Sequence, residues 1–247
     1  MSTLMLLYKN VTALSRETHS ALKLKASESF DFAKQTHWVP LAGVEFYPAS
    51  RDYPIVFARD AQTQAVTPIL LVGLKAGEND QIDASGKWRT GVYLPAFIRR
   101  YPFVLAETGA DPENELAVCF DNSSDCLGEE EGHPLFNPDR TNSATLDESL
   151  RFLNDFKIEM ERTKHFSDAL QKLELLESRS VEIRSADGAS WTVRDFLVVN
   201  EEAFGKLTGT QLAELHKNGY LGWIFAHLMS LSTLRDLFDL HRQRVAA

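Results

Sequence analysis

Two adjacent arginines, Arg99 and Arg100, sit inside the run Tyr93-Leu94-Pro95-Ala96-Phe97-Ile98-Arg99-Arg100-Tyr101-Pro102-Phe103, among rings and aliphatic side chains and between prolines. A guanidinium is a planar fork of N–H donors that matches a carboxylate or phosphate, so the pair has the chemistry to hold an anion. In so apolar a neighbourhood it also requires a partner: a carboxylate, a carbonyl or a ring face. Glu45, Asp52, Asp60, Glu107 and Asp121 are internal acids that fit. Two readings follow: a structural tie to such an acid, or a receptor for an anionic group of a ligand or a peptide terminus. Tyr93, at the start of the run, and Asp52, in the turn Asp52-Tyr53-Pro54, complete the ligand-binding candidates on this side of the chain.

His227 is the other candidate. It follows Trp223 by one helical turn and precedes Leu231 by another, at the border of an apolar stripe. Such a histidine is either a neutral core residue bonded to a carbonyl or carboxylate, or an acid–base or ligand contact. Ser230, a turn later, can bond its own helix backbone. Cys119, Cys126 and His133 are evenly spaced, but the spacing matches no zinc pattern, and Cys119 falls in an apolar strand. The chain carries no G-x-S-x-G elbow, Walker loop, G-x-G-x-x-G fingerprint, H-E-x-x-H or paired C-x-x-C. No catalytic residue, metal or cofactor is assigned from the sequence.

The elements that must position these groups are legible from spacing. Leu94, Phe97, Ile98 and Tyr101 recur at helical intervals, and Pro95 suits a first helical turn. Pro102 ends that helix, and Phe103-Val104-Leu105-Ala106 continues as a buried strand. Arg99 and Arg100 then fall in the last turn, where exposed carbonyl ends favour cations. Val44–Tyr47, Tyr53–Ala58, Val66–Leu74 and Leu116–Phe120 read as strands, with a short strand at Gln81–Asp83, and their prolines favour edges or strand starts. Turns are expected at 76–80, 84–87 and 109–112. Residues 122–142, including Glu129-Glu130-Glu131, read as an acidic surface loop. Thr145 and Glu148 form a capping box before a helix whose period lapses at 161–163, which predicts a kink or two helices. Val181–Arg184 and Trp191–Val193 flank a hairpin turn at 186–189. Thr208 and Gln211 cap a helix that stops at Asn218-Gly219, and a last helix runs from Leu221 to about His241.

The 247 residues, 44% of them apolar, suffice for a large core without metals or disulfides. A net charge of −9 argues against a nucleic-acid phosphate track or an anionic membrane surface. Only two cysteines, no basic segment before the short apolar start, and no apolar run near the roughly 20 residues that span a bilayer predict a cytoplasmic protein.

Glu45-Phe46, Asp52-Tyr53-Pro54-Ile55-Val56-Phe57, the whole 93–103 run, Pro134-Leu135-Phe136 and Ala226-His227-Leu228-Met229-Ser230 together resemble the bacterial SapC family, in matching order from about Trp38 to Leu237. The family takes its name from paracrystalline surface layers. Its members are often encoded beside flavin-dependent tryptophan halogenases, cupin-like proteins and TonB-dependent receptors, which implies an accessory of peptide or small-molecule processing and uptake. It supplies no established catalytic residues. The expected fold is α+β: an antiparallel or mixed sheet from the first half, covered by helices of the second, with a C-terminal helical segment. Residues 1–36 read as an N-terminal arm able to pair with a second copy, and 37–247 as one domain. The expected function is non-enzymatic binding of a peptide, an amino-acid derivative, another small molecule or a protein partner. The rivals are an enzyme acting on an amino-acid or peptide carboxylate, with an arginine clamp and His227 as acid or base, and a surface-layer component.

Overall fold

The computed structural model describes residues 6–26, 29–106, 117–184 and 190–246. Glu107, the 109–112 turn, Leu116 and the 186–189 turn lie outside the described residues, as do the side chains of Ile183, Arg184, Trp191 and Val193. The chain divides into two compact units. One takes Met1–Lys34, Ile82–Trp88 and Phe97–Ile158, the other Gln35–Gln81, Arg89–Ala96 and Glu159–Ala247.

In the first unit, β1 (Val11–Ala13), β7 (Ala117–Asp121) and β6 (Phe103–Ala106) form an antiparallel sheet in that order. The carboxylate of Asp121, at the end of β7, accepts the backbone N–H groups of Lys9 (2.9 Å) and Asn10 (3.1 Å), which fixes the chain entering β1. A second small sheet, β8 (Leu127–Gly128), β2 (Lys23–Leu24) and β9 (His133–Pro134), runs through the stretch expected to be loop. Glu129, Glu130 and Glu131 are exposed between its outer strands, so the acids do form a solvated face. The backbone on either side of them pairs with β2, which side-chain composition does not report. Phe103, Phe120, Leu135, Phe136, Leu146 and Leu153 make the core.

In the second unit, β10 (Leu176–Arg184), β11 (Ser190–Val199), β4 (Ile55–Arg59), β5 (Val66–Leu71) and β3 (Trp38–Pro40) form a five-stranded antiparallel sheet in that order. Alternate residues of β4 serve opposite faces. Val56 packs with Ile69, Leu71, Phe196, Val198 and Leu237, whereas Phe57 meets Phe166 (6.1 Å between ring centroids) and His227 (5.0 Å). Burial on both faces is why these strands read as continuous apolar runs rather than alternations. Pro68 lies in the interior strand β5, not at an edge, one residue beyond the last pair that β5 makes with β3, Pro40↔Ile69. The helices are α1 (Phe46–Ser50), α4 (Glu201–Gly205), α5 (Gly209–Lys217), α6 (Tyr220–Ser230) and α7 (Leu234–Ala246).

Antiparallel sheets with helices and a helical C-terminal segment match the α+β expectation, with further local corrections. The expected strand at Gln81–Asp83 is reduced to a single bridge, Ile82↔Trp88. Val44–Tyr47 is no strand: a 3₁₀ turn at Gly43–Glu45 leads into α1, because the Glu45 carboxylate accepts the Ala42 N–H (3.1 Å) and caps the turn. The helix α3 (Ala144–Lys172) is continuous through the expected break. There Thr163 is buried with its polarity met, donating to the Glu159 carbonyl (2.5 Å) and accepting the Gly43 N–H (2.7 Å). The cap of α3 is Ser143, whose hydroxyl accepts from Leu146 N (3.2 Å), two residues before the expected Thr145. The last helix is interrupted by a 3₁₀ turn at Leu231–Thr233, where the Ser230 and Thr233 hydroxyls bond back to the carbonyls of His227 (2.6 Å) and Ser230 (2.7 Å). The capping box of Thr208 with Gln211 and the left-handed stop at Gly219 (φ 77°) stand as expected.

Candidate functional site

The 93–103 run enters with three anchors in the second unit. The Tyr93 N–H donates to Asp52 (2.8 Å), the Tyr93 carbonyl accepts the Tyr53 hydroxyl (2.5 Å), and the Tyr93 hydroxyl donates to Glu45 (2.9 Å). Glu45, 2% exposed, also accepts the Ala96 N–H (2.7 Å) at the start of α2 (Ala96–Arg99). Tyr93 and Asp52, paired as ligand candidates, are thus brought together, bonded to each other. Burial raises the Asp52 pKa, but its ion pair with Arg51 (3.0 Å) and the Tyr93 N–H outweigh this and hold it below the usual carboxylate range.

From Phe97 the run belongs to the first unit. The expected helix is present but short, and β6 begins at Phe103 as the spacing predicts. The two arginines then take different surroundings. Arg100 is 4% exposed, and its guanidinium carbon lies 4.1 Å from the Phe97 ring centroid, 5.4 Å from that of Phe156 and 5.5 Å from that of Tyr8. Desolvation lowers its pKa, opposed by the Tyr8 hydroxyl that bonds to it. That hydroxyl donates to the Phe103 carbonyl (2.6 Å), and burial raises its own pKa. Ring faces are therefore among the partners of Arg100. Next to it, Tyr101 stacks flat on Phe32 (3.8 Å, 7°) and reaches Asp121 (3.3 Å), and burial pushes its hydroxyl up to about 12.

Arg99 is exposed, its guanidinium carbon 5.2 Å from the Phe152 ring centroid. A cleft of about 330 Å³ opens beside it within the first unit. Arg99, Arg100, Tyr101 and Pro102 line one side, and Thr145, Glu148, Ser149 and Phe152 of α3 another. It holds an exposed cation, a carboxylate, the hydroxyls of Tyr101, Thr145 and Ser149, and aromatic rings, an arrangement suited to an anionic or zwitterionic group beside an apolar one. The α3 residues were missed in the sequence reading, since nothing local ties positions 145–152 to 99.

Of the acids considered for the arginine pair, Glu107 lies outside the described residues, and Asp60 accepts from Thr63 and Gln62 in its own turn. Burial raises the Asp121 pKa, but donors from Ser123, Lys9 and Asn10 outweigh it, and the carboxylate ends below its ordinary range.

His227 belongs to the second unit, the arginine pair to the first. It is fully buried, its Nδ1 facing the Ile55 carbonyl (2.8 Å) and its Nε2 accepting the Val199 N–H (3.0 Å). Bonding on both sides fixes a neutral ring with the proton on Nδ1, and burial pulls its pKa down to about 4. Ser230 accepts the Ile55 N–H (2.9 Å), so α6 clasps both backbone groups of Ile55.

Among the described residues, one set has metal-ligand spacing: Glu78, Asp80 and His241. Asp80 accepts from Arg244 Nε (2.8 Å) and from Leu74 N (3.0 Å) and faces His241 Nδ1 (2.9 Å), while Arg244 also bonds Glu78. The guanidinium already supplies a cation to both carboxylates, and the cluster ties α7 to the 74–80 turn. Cys119 and Cys126 are buried free thiols.

The model of the SapC family matches residues 14–237. No curated protein and no solved structure matches the chain.

Proposed function

Since the chain belongs to the SapC family, we propose that it is a non-enzymatic accessory protein that recognises the carboxylate of a peptide or amino-acid derivative in the Arg99 cleft. The observation that supports this is the exposed Arg99 guanidinium, lining a cleft of about 330 Å³ together with Glu148 and the Phe152 ring. The size is at the small end of ligand pockets, and the polar groups are few and convergent. Arg100, buried among rings, shapes the wall. Tyr93 and Asp52 hold the chain that leads to it.

A thermal-shift screen of amino acids, short peptides and tryptophan derivatives tests the reading, because a ligand selective for the folded state raises its melting temperature. Arg99→Met is expected to weaken binding of any hit about tenfold or more, with the melting temperature of the free protein unchanged. Equal binding by Arg99→Met would refute the assignment. Both nitrogens of His227 are committed to backbone groups, which counts against it as the acid or base that the enzyme reading requires. A cytoplasmic place beside halogenase and receptor systems is part of the same proposal. Cell fractionation checks it: recovery in an ordered extracellular layer would favour the surface-layer reading instead.

A further inference from the structure

The helix α6 contains no Asp, Glu, Lys or Arg. A helix apolar all round is ordinarily buried all round. In α6 the inner face, including Trp223, Ile224 and His227, is buried, but Phe225 is 52% and Met229 72% exposed, with Leu228 half-buried between them. Residues three and four apart share one helical face, so these three side chains form a stripe. The stripe continues into a groove of about 410 Å³ floored by Leu228, Leu231, Leu234 and Val181. On its rim stand three carboxylates, Glu177, Glu201 and Glu202, of which Glu177 pairs with Arg179 (2.5 Å) and Glu202 with Lys206, so that the rim keeps a net negative charge centred on Glu201.

We propose that the α6 face is a docking surface for a partner protein, and that the docked segment is an amphipathic helix with leucine-like side chains on one face and lysine or arginine flanking them. An exposed continuous apolar stripe marks such sites, and an apolar groove with i, i+3, i+4 contacts takes a helix. The sign of the rim selects a basic flank. A second copy of this chain is disfavoured by the same charges, since it would bring its own acidic rim from a chain of net charge −9.

The test uses the full chain and two synthetic helices of about 18 residues, long enough to hold helical structure: one of leucine and lysine, one of leucine and glutamate with the same pattern. Fluorescence anisotropy should show the lysine peptide binding the native protein and the glutamate peptide not. Phe225→Ser/Met229→Ser and Glu201→Lys/Glu202→Lys should each weaken that binding about tenfold, and the second variant should gain affinity for the glutamate peptide. Should the lysine reversal disturb α4, Glu201→Gln/Glu202→Gln gives the loss without the gain. Glu129→Lys/Glu130→Lys, in the first unit, changes the net charge equally and should bind as the native protein does. Equal loss in that control, no binding by the native protein, or unchanged binding in the serine variant overturns the proposal. So does light scattering that finds a native dimer and a monomeric serine variant, for a second copy would then be the occupant.

Discussion

His227 and the arginine pair show how far residue type alone reaches. That an apolar-flanked histidine sits in the core was readable from its spacing. Its role as a clasp on Ile55 and Val199 was not, because its partners are 172 and 28 residues away. The arginine run was legible as a place of interest, and so was the need for partners. The division of labour, Arg100 turned among rings and Arg99 outward, depends on the tertiary position of Phe97, Phe156 and Phe152. Burial of neutral His227 carries a pH dependence. Its pKa is about 4 when folded against an ordinary 6.5, so the unfolded chain binds the proton more readily. The stabilisation is complete above the unfolded pKa and is lost as pH falls from about 6.5 to about 4, reaching roughly 3 kcal/mol from this group. Half-buried His37, also lowered by desolvation, adds to the same slope. Urea unfolding at stepped pH should therefore show stability falling across this window. His227→Gln, although less stable, should have a flatter profile there; an unchanged slope would mean that His227 does not titrate between the two states.

At the scale of elements, the sequence was most legible where one local device decides the outcome, as with the Thr208–Gln211 box, the Gly219 stop and the strand after Pro102. It misled where a distant group outweighs local propensity. The aromatic and β-branched stretch Val44–Tyr47 turns helical because Glu45 caps it, and the 161–163 lapse stays helical because Thr163 receives Gly43 N–H. Gly43 is the hinge of both facts. A Cβ placed on it would run into the Trp223 ring, which stacks on Phe46 (5.7 Å, 23°). Gly43→Ala must then displace a packed indole, and overpacking of this kind costs about 1–3 kcal/mol. Denaturant midpoints should fall accordingly, with Trp223 fluorescence altered in the folded state. Gly205→Ala, where a Cβ meets nothing within 4 Å, is the matched control and should be neutral or stabilising.

For the whole molecule, the informative fact is covalent rather than geometric: the chain passes between its two units after Lys34, Gln81, Trp88, Ala96 and Ile158. No single cut separates them. A fragment ending at Ile158 contains every residue of the first unit, but it also keeps 35–81 and 89–96 from the second. Those segments include β3, β4 and β5, with Tyr53, Ile55, Val56, Phe57 and Leu70 buried in the full chain. In the fragment they would lack β11, which pairs with β4 at Leu197↔Phe57, and α6, whose His227 and Ser230 bond Ile55. The interior strand β4 would become an edge, and an unpaired apolar edge is a template for aggregation. The fragment is therefore expected to be insoluble, or to bind a hydrophobic dye strongly, when expressed alone. Co-expression with residues 159–247 should restore solubility, since that piece returns both β11 and α6. A soluble, dye-negative 1–158 fragment would show instead that the first unit folds without regard to the second-unit segments that interrupt it in sequence, and that the order of segments along the chain sets no limit on how the protein can be divided.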